Sequence, residues 1–146
     1  MSENNKVNID ELLAKVPTGL LINGEWVDAS GGDTFDVENP ATGEVIATLA
    51  SATSEDAKKA MDAACAVQDE WARTSTRERS NLLRRAFDLV QERKDEFAAL
   101  MTLEMGKPLA ESYGEVTYGS EYLRWFSEEA VRDYGRTLSA PEGTLR

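Results

Sequence analysis

Between Ser75 and Gly106 the sequence contains neither proline nor glycine, the two residues that most readily interrupt a helix. Within that stretch Leu82, Leu83, Ala86, Phe87, Val90 and Phe97 recur at helical spacing and share one face. Ser75 and Glu78 have the S-x-x-E spacing of a capping box, in which each residue's side chain satisfies the other's free backbone N–H. Gly106-Lys107-Pro108 closes the segment, because glycine accepts the left-handed C′ position and proline cannot continue the ladder. One helix over 76–105 fits this pattern, and so do two helices meeting near Lys94-Asp95.

The flanks extend the reading. Thr53 followed by Asp56 resembles a second capping box, with Asp replacing the usual Glu or Gln. Ala57, Ala60, Met61, Ala64, Val67 and Trp71 then form a narrow, alanine-rich apolar stripe. A further helix is expected from about Leu109 to Tyr134, with Tyr113, Val116, Leu123, Phe126, Ala130 and Tyr134 inward and Gly135 as its stop. Gly114 and Gly119 in its interior each cost about 1 kcal/mol against alanine, so a close approach of another group is expected there. The first fifty residues read as antiparallel β structure. Asn23-Gly24, between apolar residues, predicts a type I′ hairpin turn. Phe35 and Val37 alternate with Asp36 and Glu38, Asn39-Pro40-Ala41-Thr42-Gly43 turns the chain, and Val45–Leu49 returns. Residues 1–17 form an N-terminal arm with one or two helical turns, ending at Pro17.

Composition removes whole classes of chemistry. The 146 residues suit one domain. They carry 16 Lys and Arg against 27 Asp and Glu, a net charge of −11. A chain this acidic has no basic face with which to neutralise phosphates, so nucleic acid is not an expected partner. There is no His, which excludes Ser-His-Asp, Cys-His and HExxH chemistry within the chain. The single Cys forbids an internal disulfide and suits a reducing compartment. No apolar run approaches the length of a membrane span, and the first residues lack the pattern of a secretory signal. The expected location is cytoplasmic, with no membrane partner.

The residues by themselves outline no catalytic centre. Cys65 sits among Ala and Asp on the alanine-rich helix, with no His in the chain to activate it, and reads as a small apolar residue rather than a nucleophile. Glu128-Glu129, Asp69-Glu70, Glu92 and Asp95-Glu96 fall on expected solvated helix faces. No GxGxxG, P-loop or CxxC occurs, and Gly31-Gly32 is too short to cradle a phosphate. Tyr118, Tyr122, Trp125 and Phe126 share one long helix, with core packing the first expectation and a substrate-channel wall the alternative.

Four stretches together resemble a known family: Ile22-Asn23-Gly24-Glu25-Trp26-Val27, Glu38-Asn39-Pro40-Ala41-Thr42-Gly43-Glu44-Val45-Ile46, Leu103-Glu104-Met105-Gly106-Lys107-Pro108-Leu109 and Trp125-Phe126-Ser127-Glu128-Glu129-Ala130, with Tyr134-Gly135 close behind. In this order and spacing the chain resembles the amino-terminal part of an NAD(P)-dependent aldehyde dehydrogenase, with the W-F-S-E-E-A segment leaning toward the succinate-semialdehyde branch. The resemblance implies an α/β fold of which this chain is the N-terminal piece: β-hairpins over about 18–50, long α-helices over about 54–134, and no Rossmann-type sheet. It implies residues 18–135 as the N-terminal portion of the cofactor-binding domain. Residues 136–146 would then be the truncated start of an oligomerisation arm.

Family members attack the aldehyde with a cysteine thiolate, pass hydride to the nicotinamide and hydrolyse the thioester with a glutamate base, while an asparagine helps to stabilise the oxyanion. The resemblance places all of these residues downstream of Arg146, and Cys65 matches none of them. It therefore implies no catalytic and no cofactor-binding residue here, and a chain that alone is inactive and binds neither NAD nor NADP. The complete enzyme would take an aldehyde, with succinate semialdehyde the favoured one, and NAD or NADP, as a homo-oligomer. Two assignments carry over: Tyr118 and Tyr122 to the wall of the aldehyde channel, and Glu104, with the carbonyl of Val37 or Glu38, to a structural cation. The alternative is a self-standing, acidic helical module that binds a protein partner.

Overall fold

The computed structural model describes residues 7–132, 134 and 135. Strands β1 (Leu20–Ile22) and β2 (Glu25–Val27) form one antiparallel pair and β3 (Thr34–Glu38) and β4 (Val45–Ala50) another. The first turn is the expected one, since Asn23 and Gly24 both take positive φ, 52° and 80°. Between β3 and β4, Asn39 organises the turn: its Oδ1 accepts from the Ala41 N–H at 2.9 Å and its carbonyl from the Gly43 N–H at 2.7 Å. The register sets Asp36 opposite Thr48, whose hydroxyl donates to the Asp36 carboxylate at 2.7 Å.

Five helices complete the described chain: α1 (Ile9–Leu13), α2 (Ser54–Arg73), α3 (Thr76–Glu92), α4 (Lys94–Met105) and α5 (Leu109–Glu129). Thr53 and Ser75 cap α2 and α3, and both boxes are reciprocal as their spacing predicts. The long Pro- and Gly-free stretch is two helices, broken at Arg93 (φ −106°, ψ 20°). Gly106 ends α4 in the left-handed conformation. A Cβ built on it would lie 2.9 Å from Pro40 Cγ, so the Gly-Lys-Pro corner is seated against the β3–β4 turn.

The core lies where α3 and α4 meet α5. Gln91 donates to Ser120 at 2.7 Å, Lys94 donates to Thr117 at 2.9 Å, and the Arg124 guanidinium lies over the Phe87 ring, so α3 and α5 run antiparallel. The buried face of α5 is made of Ser112, Val116, Ser120 and Ser127. Small side chains let the backbones draw close, and each serine hydroxyl is satisfied: Ser112 by Thr102, Ser120 by Gln91, Ser127 by the Arg124 carbonyl. Among the described residues the buried apolar side chains are only Leu12, Ala29, Ala98, Ala99 and Val116.

Three expectations for α5 are corrected. It stops at Glu129, short of Tyr134, because Glu129 and Ala130 already lie beside Arg79 near the start of α3, and among the described residues no further helix offers a packing surface beyond them. Phe126 and Tyr134, expected inward, are exposed for the same reason. Gly114 and Gly119 meet nothing within 4 Å of a built Cβ, so no described group makes the close approach expected of them. Residues 136–146, expected to begin an oligomerisation arm, lie outside the described residues, as do residues 1–6 of the N-terminal arm.

Candidate functional site

Two features of this chain place its candidate site residues: the outer face of α5 and the corner between α4 and the β3–β4 turn. On α5 the buried serine seam faces α3 and α4, which turns Tyr118, Tyr122, Trp125 and Phe126 outward. Core packing, the first expectation for these aromatics, does not hold. Tyr118 is 67% exposed and Trp125 63%. The two tyrosine rings meet edge to face at 5.4 Å, and their hydroxyl oxygens are 2.7 Å apart in a mutual hydrogen bond. That bond to the Tyr118 hydroxyl holds the Tyr122 pKa above its ordinary value. With Glu121, Trp125 and Phe126 they line an open depression of about 430 Å³. Phe126 also lines a second apolar depression of about 490 Å³, with Trp71, Arg79, Leu82, Leu83, Glu129 and Ala130. The two merge into one apolar belt from the end of α2 across α3 to the middle of α5.

Glu104 is exposed in the last turn of α4, one residue before Met105 and two before the Gly106 that touches Pro40. The corner brings the α4 terminus against the β3–β4 turn, but among the described residues no three Asp, Glu, His or Cys side chains gather. A hard divalent cation takes six to eight oxygens. One carboxylate and a carbonyl do not fit a resident divalent ion. Cys65 is an exposed thiol on α2. The paired carboxylates are solvated or engaged on the surface: Glu92 with Arg85, Glu96 with Arg93, Glu129 with Arg132. Asp95 accepts from the Tyr113 hydroxyl at 2.8 Å, a bond that holds the Tyr113 pKa above its ordinary value.

The starts of α2 and α3 are poorly suited to a pyrophosphate. A pyrophosphate sits best on free N–H groups at a helix N-terminus. Here β4 leads into α2 through Ser51-Ala52-Thr53, and the N–H groups of Thr53 and Ser30 are already taken by the Asp56 carboxylate. Glu78 occupies the start of α3 in the same way, and hydrogen bonds from Ser75 hold its pKa low. A phosphate at either end would meet a carboxylate.

Sequence reasoning found Asp56 as a cap and missed its second role. Its carboxylate is buried and also accepts from the backbone N–H of Ser30, at 3.1 Å, and from the Ser30 hydroxyl. These bonds, the Ser30 hydroxyl foremost, hold its pKa well below the usual carboxylate range. Lys59 donates to the same Ser30 hydroxyl at 2.8 Å. At the other end of α2, Arg79 donates to the Trp71 and Ala72 carbonyls at 2.7 and 3.1 Å, and its guanidinium covers the Trp71 ring. Nothing in the local spacing announces either tie.

Residues 26–146 match the aldehyde dehydrogenase family, and the chain belongs to it. It is 70% identical over 99 residues to the succinate-semialdehyde dehydrogenase of Paenarthrobacter nicotinovorans, covering 68% of this chain and 22% of that protein. It is 48% identical over 117 residues to the glutarate-semialdehyde dehydrogenase of Pseudomonas putida, covering 80% of this chain and 24% of that one. Its backbone matches betaine aldehyde dehydrogenase from Staphylococcus aureus, solved in complex with NAD+, at a TM-score of 0.87 and 33% identity, over 93% of this chain and 27% of that one. The chain thus spans about a quarter of the length of the relatives it matches. No helix among the described residues is long and apolar enough to cross a membrane.

Proposed function

We propose that this chain serves as the N-terminal portion of a semialdehyde dehydrogenase, which oxidises a carboxylate-bearing aldehyde, succinate semialdehyde foremost, to the acid with NAD or NADP. The observation that carries this reading is the bare apolar belt. Trp71, Leu82, Phe126, Trp125, Tyr122 and Tyr118 are all about half exposed or more, and a folded monomer rarely leaves so continuous an apolar surface uncovered. In this reading the belt is covered by the rest of the cofactor-binding domain, except where Tyr118 and Tyr122 face the aldehyde channel. That remainder also holds the nicotinamide and supplies the cysteine, the glutamate and the asparagine. The high identity to a succinate-semialdehyde dehydrogenase supports the choice of substrate, and the glutarate-semialdehyde relative supports a carboxylate at the far end of the aldehyde.

The remaining assignments follow from the same reading. Residues 1–17 are an arm, 18–135 part of the cofactor-binding domain and 136–146 the start of an oligomerisation arm in a cytoplasmic homo-oligomer. Tyr118 and Tyr122 line the aldehyde channel. Glu104, with the Val37 or Glu38 carbonyl, offers a partial oxygen set to a monovalent cation. Purified 146-residue protein, given succinate semialdehyde with NAD+ or NADP+, is expected to reduce no nicotinamide, whereas the enzyme continued through the remainder of its gene does. Turnover by the 146-residue protein alone would overturn the proposal.

A further inference from the structure

Helices α3 and α4 are separated by a single residue, Arg93, whose φ of −106° and ψ of 20° lie outside the helical range. The residues around it, Val90-Gln91-Glu92-Arg93-Lys94-Asp95-Glu96, contain no proline, glycine or serine, the local causes to which a broken helix is usually traced. Nor does α4 begin as α2 and α3 do. Those two open with reciprocal capping boxes, whereas no side chain caps α4, so its first N–H groups are left without an acceptor of that kind. Helix α5 does not demand the interruption either. Phe87 lies against Arg124, Gln91 against Ser120 and Lys94 against Thr117, so seven residues forward across the break match seven back along α5. One antiparallel register runs through Arg93 as it would along a continuous helix. What does lie at the break is α1. Leu12 is its one buried residue, 3% exposed. The two elements share a cleft of about 350 Å³, lined by Glu11, Leu12 and Lys15 on one side and by Glu92, Arg93 and Asp95 on the other.

We infer that α1 is a strap that maintains the α3–α4 break: with Leu12 docked the chain from Thr76 to Met105 is two helices, and with the arm released it closes into one. The two states exchange one stabilisation for another. Docking removes Leu12 from water. Release returns the N–H groups of Lys94, Asp95 and Glu96 to the carbonyls of Val90, Gln91 and Glu92, and Arg93 to an ordinary helical conformation. The far end of α4 carries the consequence. At 1.5 Å per residue its 12 residues form a lever about 18 Å long, so a rotation at Arg93 displaces the Gly106 corner that rests on Pro40. The N-terminal arm and the β3–β4 turn are thereby coupled through a rigid helix.

Amide hydrogen exchange of the 146-residue protein tests the strap, because the sign of the change separates a switch from simple packing. Leu12→Asp is expected to slow exchange at Lys94, Asp95 and Glu96 by about tenfold, the order gained when an open N–H acquires a helical bond. The protein lacking residues 1–17 should show the same slowing without an introduced charge. Adding Arg93→Gly to Leu12→Asp, which disfavours a continuous helix, should abolish it. Faster or unchanged exchange at these three amides in both the Leu12→Asp and the shortened protein would reduce Leu12 to a packing residue and overturn the inference. Loss of the helical circular-dichroism signal in both would overturn it too, since α1 would then be needed for folding rather than for the break.

Discussion

Asp56 binds four donors from two directions, the backbone N–H and hydroxyl of Thr53 within its own capping box and those of Ser30 across the fold. Its folded-state pKa lies below its unfolded value, so the stabilisation it gives is complete above the ordinary carboxylate value of about 3.9 and is lost as the pH falls through and below it. Asn at this position would turn an N–H₂ toward groups that already donate. Aspartate to asparagine (D56N) is therefore expected to lower the melting temperature at neutral pH, and the gap to wild type should narrow as the pH drops below about 4. A gap that stays constant down to acid would contradict the role given to the charge. At the start of α3, Ser75→Ala removes an acceptor from the Glu78 N–H. It should cost about 1 kcal/mol in chemical denaturation, the usual value for such a cap.

At the scale of elements, the two kinds of glycine in this chain respond to alanine with opposite signs. Gly106 is left-handed at φ 70° with Pro40 in the way of a Cβ, so Gly106→Ala should destabilise by about 1–2 kcal/mol. Gly114 is helical with open space around it, so Gly114→Ala should stabilise the 146-residue protein by about 0.5–1 kcal/mol. Urea unfolding of both variants checks the pair. The helix starts were legible because a cap is a local device: Thr53, Asp56, Ser75 and Glu78 carry the whole signal within four residues. The end of α5 was not, since it depends on where α3 begins rather than on Tyr134 or Gly135. The outward aromatics of α5 were also hard to read, because the seam that turns them outward is built of Ser112, Ser120 and Ser127, polar residues that periodicity of apolar side chains passes over. Counting small residues at four-residue intervals would have found it. The Tyr118–Tyr122 contact follows from their spacing alone, but the direction they face required the partner helices.

For the whole molecule the apolar belt dominates the expected behaviour. The isolated 146-residue protein should bind an environment-sensitive hydrophobic dye and self-associate on size exclusion. Replacing Trp125 and Phe126 by glutamate should reduce both while leaving the helical circular-dichroism signal in place. A compact monomer that ignores the dye and melts cooperatively would favour a self-standing binding module instead. Helices α3, α4 and α5 pack on one another, the β3–β4 turn meets the end of α4 through Gly106 on Pro40, and the loop before β3 is tied to α2 through Ser30 on Asp56.

Helix α2 is exposed along nearly its whole length, and its firm attachments are at its two extremities, Asp56 to Ser30 and Arg79 to the Trp71 and Ala72 carbonyls. A beam pinned only at its ends has no intermediate support, so loosening one pin frees the span between them. In the isolated protein the amides between Ala60 and Gln68 should exchange with deuterium well before those of α5. Arg79→Met should speed that exchange throughout α2 while sparing the serine-lined seam.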